Sequence, residues 1–211
     1  MTIPATFRKK GERTITTQSY IDIAKKQAYI LLYGGQTNTG GSDAYILSNI
    51  TFWSNDILTV ANYENGNTVL DLDFDMKIDK TPIIVEGVGI VTIPYLQART
   101  TDVAAASMYA KAWFRHYDGT TETEVASGQG ETDSGDNIFT ARGVLKAIQF
   151  TIPKTKFKAG DTLRLTITVY TAGAAGNGYA GIGHDPKNRE MAASDTTPSV
   201  LQFHLPIRMD L

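Results

Sequence analysis

Apolar and polar residues alternate with a period of two along most of the chain from residue 28 onward. In VLDLDFDMKI (69–78), Leu70, Leu72, Phe74, Met76 and Ile78 fall on one face, and Asp71, Asp73, Asp75 and Lys77 on the other. Successive strand side chains point to opposite faces, so the segment predicts a half-buried strand with a wet outer surface. By the same rule LRLTITVY (163–170) sends Leu163, Leu165, Ile167 and Val169 inward. The closing segment LQFHLPIRMDL alternates from Leu201 to Leu211, with Gln202, His204, Pro206, Arg208 and Asp210 opposite. Proline has no N–H to give to a ladder, which predicts a sheet edge or a bulge at Pro206.

Further strands are predicted at 28–34, 44–54, 82–94, 107–117, 121–126 and 144–153. Asp118-Gly119 predicts a two-residue hairpin, and Lys158-Ala159-Gly160-Asp161 a second turn just ahead of a strand. Helical signal is confined to a turn or two near 19–26 and 101–108, and Thr and Val weaken the second. The polar stretch ASGQGETDSGDN (126–137) reads as an exposed acidic loop. About ten short strands joined by polar turns predict an all-β fold: an antiparallel, jelly-roll-like β-sandwich with an extended N-terminal arm. The expected division is a basic arm over 1–26 and a single sandwich domain over 27–211.

Composition changes this picture little. A chain of 211 residues, 42% apolar and 20% charged, is ordinary for a globular protein and long enough to bury a sizeable core. No apolar run approaches the length of a membrane helix, and no apolar stretch follows the basic N-terminal residues as a secretory signal would require. Cysteine is absent, which excludes a disulfide scaffold, a thiolate zinc site and a cysteine nucleophile. Charge is uneven. Residues 1–26 carry six cations (Arg8, Lys9, Lys10, Arg13, Lys25 and Lys26) against Glu12 and Asp22, a net +4 that leaves −6 on the rest of a chain totalling −2. Such an arm suits an acidic neighbour, and Arg8, Lys9, Lys10 and Arg13 are its contact candidates.

Chemical motifs are sparse. Gly176-Asn177-Gly178-Tyr179-Ala180-Gly181 fits G-x-G-x-x-G, but dinucleotide binding needs a helix straight after the glycines. GIGHDPKNRE follows instead, with a proline and no helical period. The glycines are therefore expected in a tip loop joining two strands. There they allow positive φ and close approach of a sister subunit, with Gly176, Gly178, Tyr179 and Gly181 as subunit-contact candidates. A calcium loop starting at the first aspartate of DLDFDMKID would need glycine where Met76 stands and glutamate where Pro82 stands. His116, His184 and His204 stand in no zinc-binding spacing, and no G-x-S-x-G elbow occurs. Glu86, an acid inside an apolar strand, leaves a glycoside hydrolase role open. No catalytic, cofactor-binding or metal-binding residue is assigned, and neither nucleic acid nor membrane is expected as a partner. Tyr and Trp within 45–53 and 108–117 offer stacking platforms, so a carbohydrate-binding module for host or glycan attachment is the alternative reading.

One resemblance covers most of the chain from about residue 19. It rests on the order SYIDIAKKQAYILLYGG, YILSN…SND, DLDFDMKI…PIIVEGVGIVTIP, KFKAGDTLRLTITVY, a glycine-rich loop ending GHDP, and PSVLQFHLPIRMDL. This order resembles small β-sandwich capsid decoration or cement proteins of tailed bacterial and archaeal viruses. AGDTLRLTITVY also resembles β-sandwich modules appended to secreted enzymes. The viral resemblance implies a non-enzymatic virion subunit, made in the host cytoplasm and placed on the capsid exterior. Its implied partners are the major capsid protein lattice and copies of itself, commonly as a homotrimer.

Overall fold

A computed structural model describes residues 27–39, 42–64, 68–99, 107–133, 142–172, 177–189 and 198–208. The strands are β1 (Gln27–Thr39), β2 (Ser42–Ser48), β3 (Leu58–Glu64), β4 (Thr68–Lys77), β5 (Ile83–Arg99) and β6 (Ser107–Tyr117). They continue as β7 (Glu122–Gln129), β8 (Arg142–Phe157), β9 (Thr162–Ala172), β10 (Asn177–Gly183) and β11 (Leu201–Arg208). No helix occurs among the described residues. The strands join in one sheet of order β3-β10-β5-β11-β1-β2-β4-β9-β6-β7, with β8 branching from β5. Every pairing is antiparallel except that of β2 with β4, which meet parallel at Ile46 and Asp75. The fold is all-β, as the alternation predicts.

The interior follows the two-residue rhythm. Leu70, Leu72 and Phe74 of β4 are buried, as are Leu163, Leu165, Ile167 and Val169 of β9 and Met108, Ala110, Ala112 and Phe114 of β6. From the other wing of the sheet come Val91 and Ile93 of β5, Ile148, Phe150 and Ile152 of β8, and Leu201, Phe203 and Leu205 of β11. Rings link the wings: Phe114 lies 5.7 Å from Phe157 and 5.7 Å from Phe203, centroid to centroid. The opposite face of β4 and β9 is polar and internally paired. Arg164 grips Asp75 through Nε at 2.7 Å and Nη2 at 2.8 Å and reaches Glu122 at 2.6 Å, while Thr168 donates to Asp71 at 3.2 Å.

Long β5 organises the centre. One side pairs with β8 along its length, while the other pairs first with β11 and then with β10. Pro94 falls between the last β11 partner, Thr92, and the first β10 partner, Tyr95, where no N–H is required on that side. β5 is irregular near Glu86, where Gly87 takes φ 130°, a conformation open to glycine. Pro153 and Pro206 both fall within these ladder interruptions. Of the two expectations for Pro206, the bulge is the one realised: β11 is interior, between β1 and β5.

Several local expectations change. The strand expected over 44–54 ends at Ser48, and residues 49–57 form a connection to β3. Residues 177–183 form β10, held between β3 and β5, rather than a tip loop. Part of the expected acidic loop, 126–129, belongs to β7. The Asp118-Gly119 connection is four residues long, because Asp118 Oδ1 accepts from the N–H groups of Thr120 and Thr121 and closes a wider turn. The Lys158–Asp161 turn forms as expected, with Gly160 at φ 97°.

Candidate functional site

The connection from β2 to β3 and the GHDP segment after β10 meet in a buried polar network centred on His184. Chain geometry brings them together: β3 and β10 pair, so Leu58 and Gly183 sit side by side and the residues flanking them are neighbours. His184 N–H donates to Ile57 O at 3.0 Å. Its ring has Nε2 2.8 Å from Thr59 Oγ1 and Nδ1 3.4 Å from Ser54 Oγ, and Thr59 Oγ1 lies 2.8 Å from the Tyr45 hydroxyl. Tyr45 also packs edge-on against the imidazole at 5.4 Å. The ring is fully buried, and that burial pushes its pKa down to about 4. A neutral imidazole donates from one nitrogen and accepts at the other, which suits two hydroxyl neighbours.

A second layer ties the loop 49–57 to the sheet. Gln36 N–H donates to Ser54 Oγ at 2.8 Å, Asn55 N–H to Gln36 O at 2.9 Å, and Asp56 N–H to Gln36 Oε1 at 3.2 Å. Next to His184, the fully buried Asp185 accepts from Arg189 Nε at 2.8 Å and from the Arg189 and Lys187 N–H groups at 2.8 Å and 3.2 Å. Burial alone would raise the Asp185 pKa, but these hydrogen bonds offset it and hold the carboxyl below its usual value. Arg189 Nη2 then donates to Ser54 O at 2.7 Å, and its guanidinium sits 5.3 Å from the Trp53 ring centre. Trp53 is 70% exposed and Ile50, on the same loop, 68% exposed. The network holds a loop in place and leaves an aromatic ring outside.

Ser54, His184 and Asp185 do not assemble acyl-transfer chemistry. Ser54 and His184 are both buried, Ser54 Oγ already receives the Gln36 N–H, and the Asp185 carboxylate serves Arg189 rather than the imidazole.

The residues singled out from sequence are scattered. Arg8, Lys9, Lys10, Arg13 and Gly176 lie outside the described residues. Gly178 and Tyr179 are ladder positions of β10, paired with Arg99 and Ala98 of β5 on one side and with Tyr63 and Asn62 of β3 on the other. Gly181 is buried in the same strand, and a Cβ there would stand 2.8 Å from Leu58 Cδ1. Its glycine serves packing within the chain. Glu86 is a partly exposed strand acid paired with Arg208 at 3.1 Å. His116 pairs with Asp161 at 2.7 Å beside the 158–161 turn, and His204 lies on β11. Among the described residues no three His, Asp or Glu side chains are grouped as a metal site.

No protein-family profile matches the chain. No curated protein matches it either. Solved structures do. A CocE/NonD-family hydrolase from Staphylococcus aureus superposes with a TM-score of 0.52 at 16% identity, over 86% of this chain and 37% of its own. An α-amino acid ester hydrolase gives a TM-score of 0.55 at 11% identity, over 85% of this chain and 36% of its own. An aminopeptidase from a marine sediment Thaumarchaeota archaeon gives 0.52 at 8% identity, over 87% and 37%. The chain thus spans little more than a third of the length of each. At such identities the likeness is one of fold.

These neighbours overturn the virion reading. The fold is shared with parts of cellular hydrolases, not with capsid decoration proteins, which corrects the family, the role as a cement subunit, the non-enzymatic assignment and the capsid-exterior location. The glycan-attachment alternative is replaced with them. The reason is physical: alternating strands and turn glycines are required by any antiparallel sheet, so the segments that carried the resemblance do not discriminate among β folds.

Proposed function

We propose that this chain is a hydrolase-associated β domain, acting together with a catalytic unit of a larger hydrolase. The observation that supports this most directly is the match of 85–87% of the chain to about a third of each of three hydrolases. In proteins of that size the remaining two-thirds must meet this domain across a surface. The Trp53 loop is the surface we assign to that contact. It is apolar at its tip, fixed by the His184 network, and flanked by an arginine, the combination enriched at the energetic centres of interfaces. A loop already ordered loses little entropy on docking. The partner is then the catalytic part of a hydrolase, in place of a capsid lattice. We further propose that the two wings joined by Phe114 form a jelly-roll-like sandwich over 27–211, preceded by an arm at 1–26.

The test is retrieval of the full chain from the cells that make it, followed by ester and aminoacyl-amide hydrolysis assays on what co-purifies. A hydrolase that co-elutes with the chain and is lost with Trp53→Ala supports the reading. Retrieval without any hydrolase, or a complex indifferent to Trp53→Ala, refutes it.

A further inference from the structure

The sheet ends at β3, and β3 is an unguarded edge. It pairs with β10 on one side and has no strand on the other among the described residues. An edge strand offers a row of unpaired N–H and C=O groups, and proteins usually blunt it with lysine, proline or a bulge. The segment LTVANYE contains no lysine, arginine or proline, and its ladder to β10 runs from Glu64 to Leu58 without a register shift. Val60 is 47% exposed there, and the loop leading into the strand exposes Ile50 and Trp53. The opposite end of the sheet differs. β7 carries exposed Glu122 and Glu124, and its ladder to β6 is interrupted between Phe114 and Arg115.

We propose that β3 pairs antiparallel with β3 of a second copy, joining the two sheets across a two-fold axis at Ala61. This inference is independent of the hydrolase reading. The strand is complementary to itself in that register. Val60 stands opposite Asn62 of the partner subunit, and Ala61, the smallest side chain, sits on the axis. Glu64 is the one charged residue of LTVANYE, and its register position falls at the far end of the ladder from its own copy. A seven-residue edge at about 3.4 Å per residue gives a ladder about 24 Å long. Main-chain bonds of this kind supply affinity without needing a pocket.

Light scattering coupled to size exclusion at about 100 µM, where a micromolar contact is filled, is expected to give twice the 23.0 kDa chain mass. Val60→Lys, at an exposed position, places two ammonium groups diagonally across the joint and should weaken the dimer by about tenfold or more. Val88→Lys, an exposed apolar site on β5, should leave it intact. Because the chain has no cysteine, the double variant Val60→Cys, Asn62→Cys reports register without background. Opposed Cα atoms in antiparallel strands lie about 4.5–5.5 Å apart, within disulfide reach, so oxidation should give covalent dimers. A monomer at that concentration, a trimer, a dimer untouched by Val60→Lys with its circular dichroism intact, or a cysteine variant that oxidises without cross-linking each overturns the proposal.

Discussion

Replacing His184 by glutamine tests whether the network depends on a neutral imidazole. Burial lowers the folded-state pKa to about 4 from an ordinary value of 6.5. Between these values the unfolded chain binds a proton that the folded chain refuses, so unfolding takes up protons and stability must fall as pH falls. The loss begins as pH drops through 6.5 and is complete below about 4. Worked from those two values, His184 contributes a loss of about 2 kcal/mol by pH 5 and about 3 kcal/mol by pH 4, against a typical total of about 5–15 kcal/mol. Glutamine keeps a donor and an acceptor but does not titrate. Urea denaturation at half-unit steps from pH 7.5 to 4.0 should show a wild-type stability curve steeper than the variant's by these amounts. Asp185 and His204, whose pKa values are also lowered, contribute to both curves and cancel in the difference. Parallel curves would show that the imidazole is not held neutral, and the buried network as described would fail.

Other perturbations read other parts of the fold. Phe203→Ala removes the ring that joins β11 to Phe114 and Phe150 and should cost about 3–5 kcal/mol by chemical denaturation. Gly181→Val sets a branched side chain against Leu58, 2.8 Å from where its Cβ would stand, and should cost about 1–3 kcal/mol, read as a lowered Tm. Arg164→Lys keeps the charge but loses the fork that grips Asp75 at two nitrogens. A loss of about 1 kcal/mol is expected, smaller in high salt because the site is partly open to solvent.

Much of the fold is legible in the sequence wherever side chains advertise their face. β4, β9 and β11 alternate cleanly, and the inward sets Leu70-Leu72-Phe74, Leu163-Leu165-Ile167-Val169 and Leu201-Phe203-Leu205 are the buried ones. β10 is illegible for the opposite reason: glycine and alanine carry almost no face, and NGYAGIG becomes a strand because β3 and β5 pair with both its sides. β3 escapes notice because LTVANYE is short and Ala61 and Asn62 blur its rhythm. The His184 network is hidden by distance, since Ser54 and Thr59 lie 130 and 125 residues away from it in sequence. One local signal existed. His184-Asp185-Pro186 is a polar, proline-stopped end to a run of small residues, and buried polar groups need fixed partners.

Amide hydrogen exchange on loop 49–57 of the free chain tests most directly whether Trp53 is presented by a fixed structure. The N–H groups of Gln36, Asn55, Asp56 and His184 donate within the network. They are predicted to exchange at pH 7 as slowly as the core strands, and to lose protection in the His184→Ala variant, which leaves Ser54 and Thr59 without the ring. Exchange at the rate of an open loop in the wild-type chain would contradict the account.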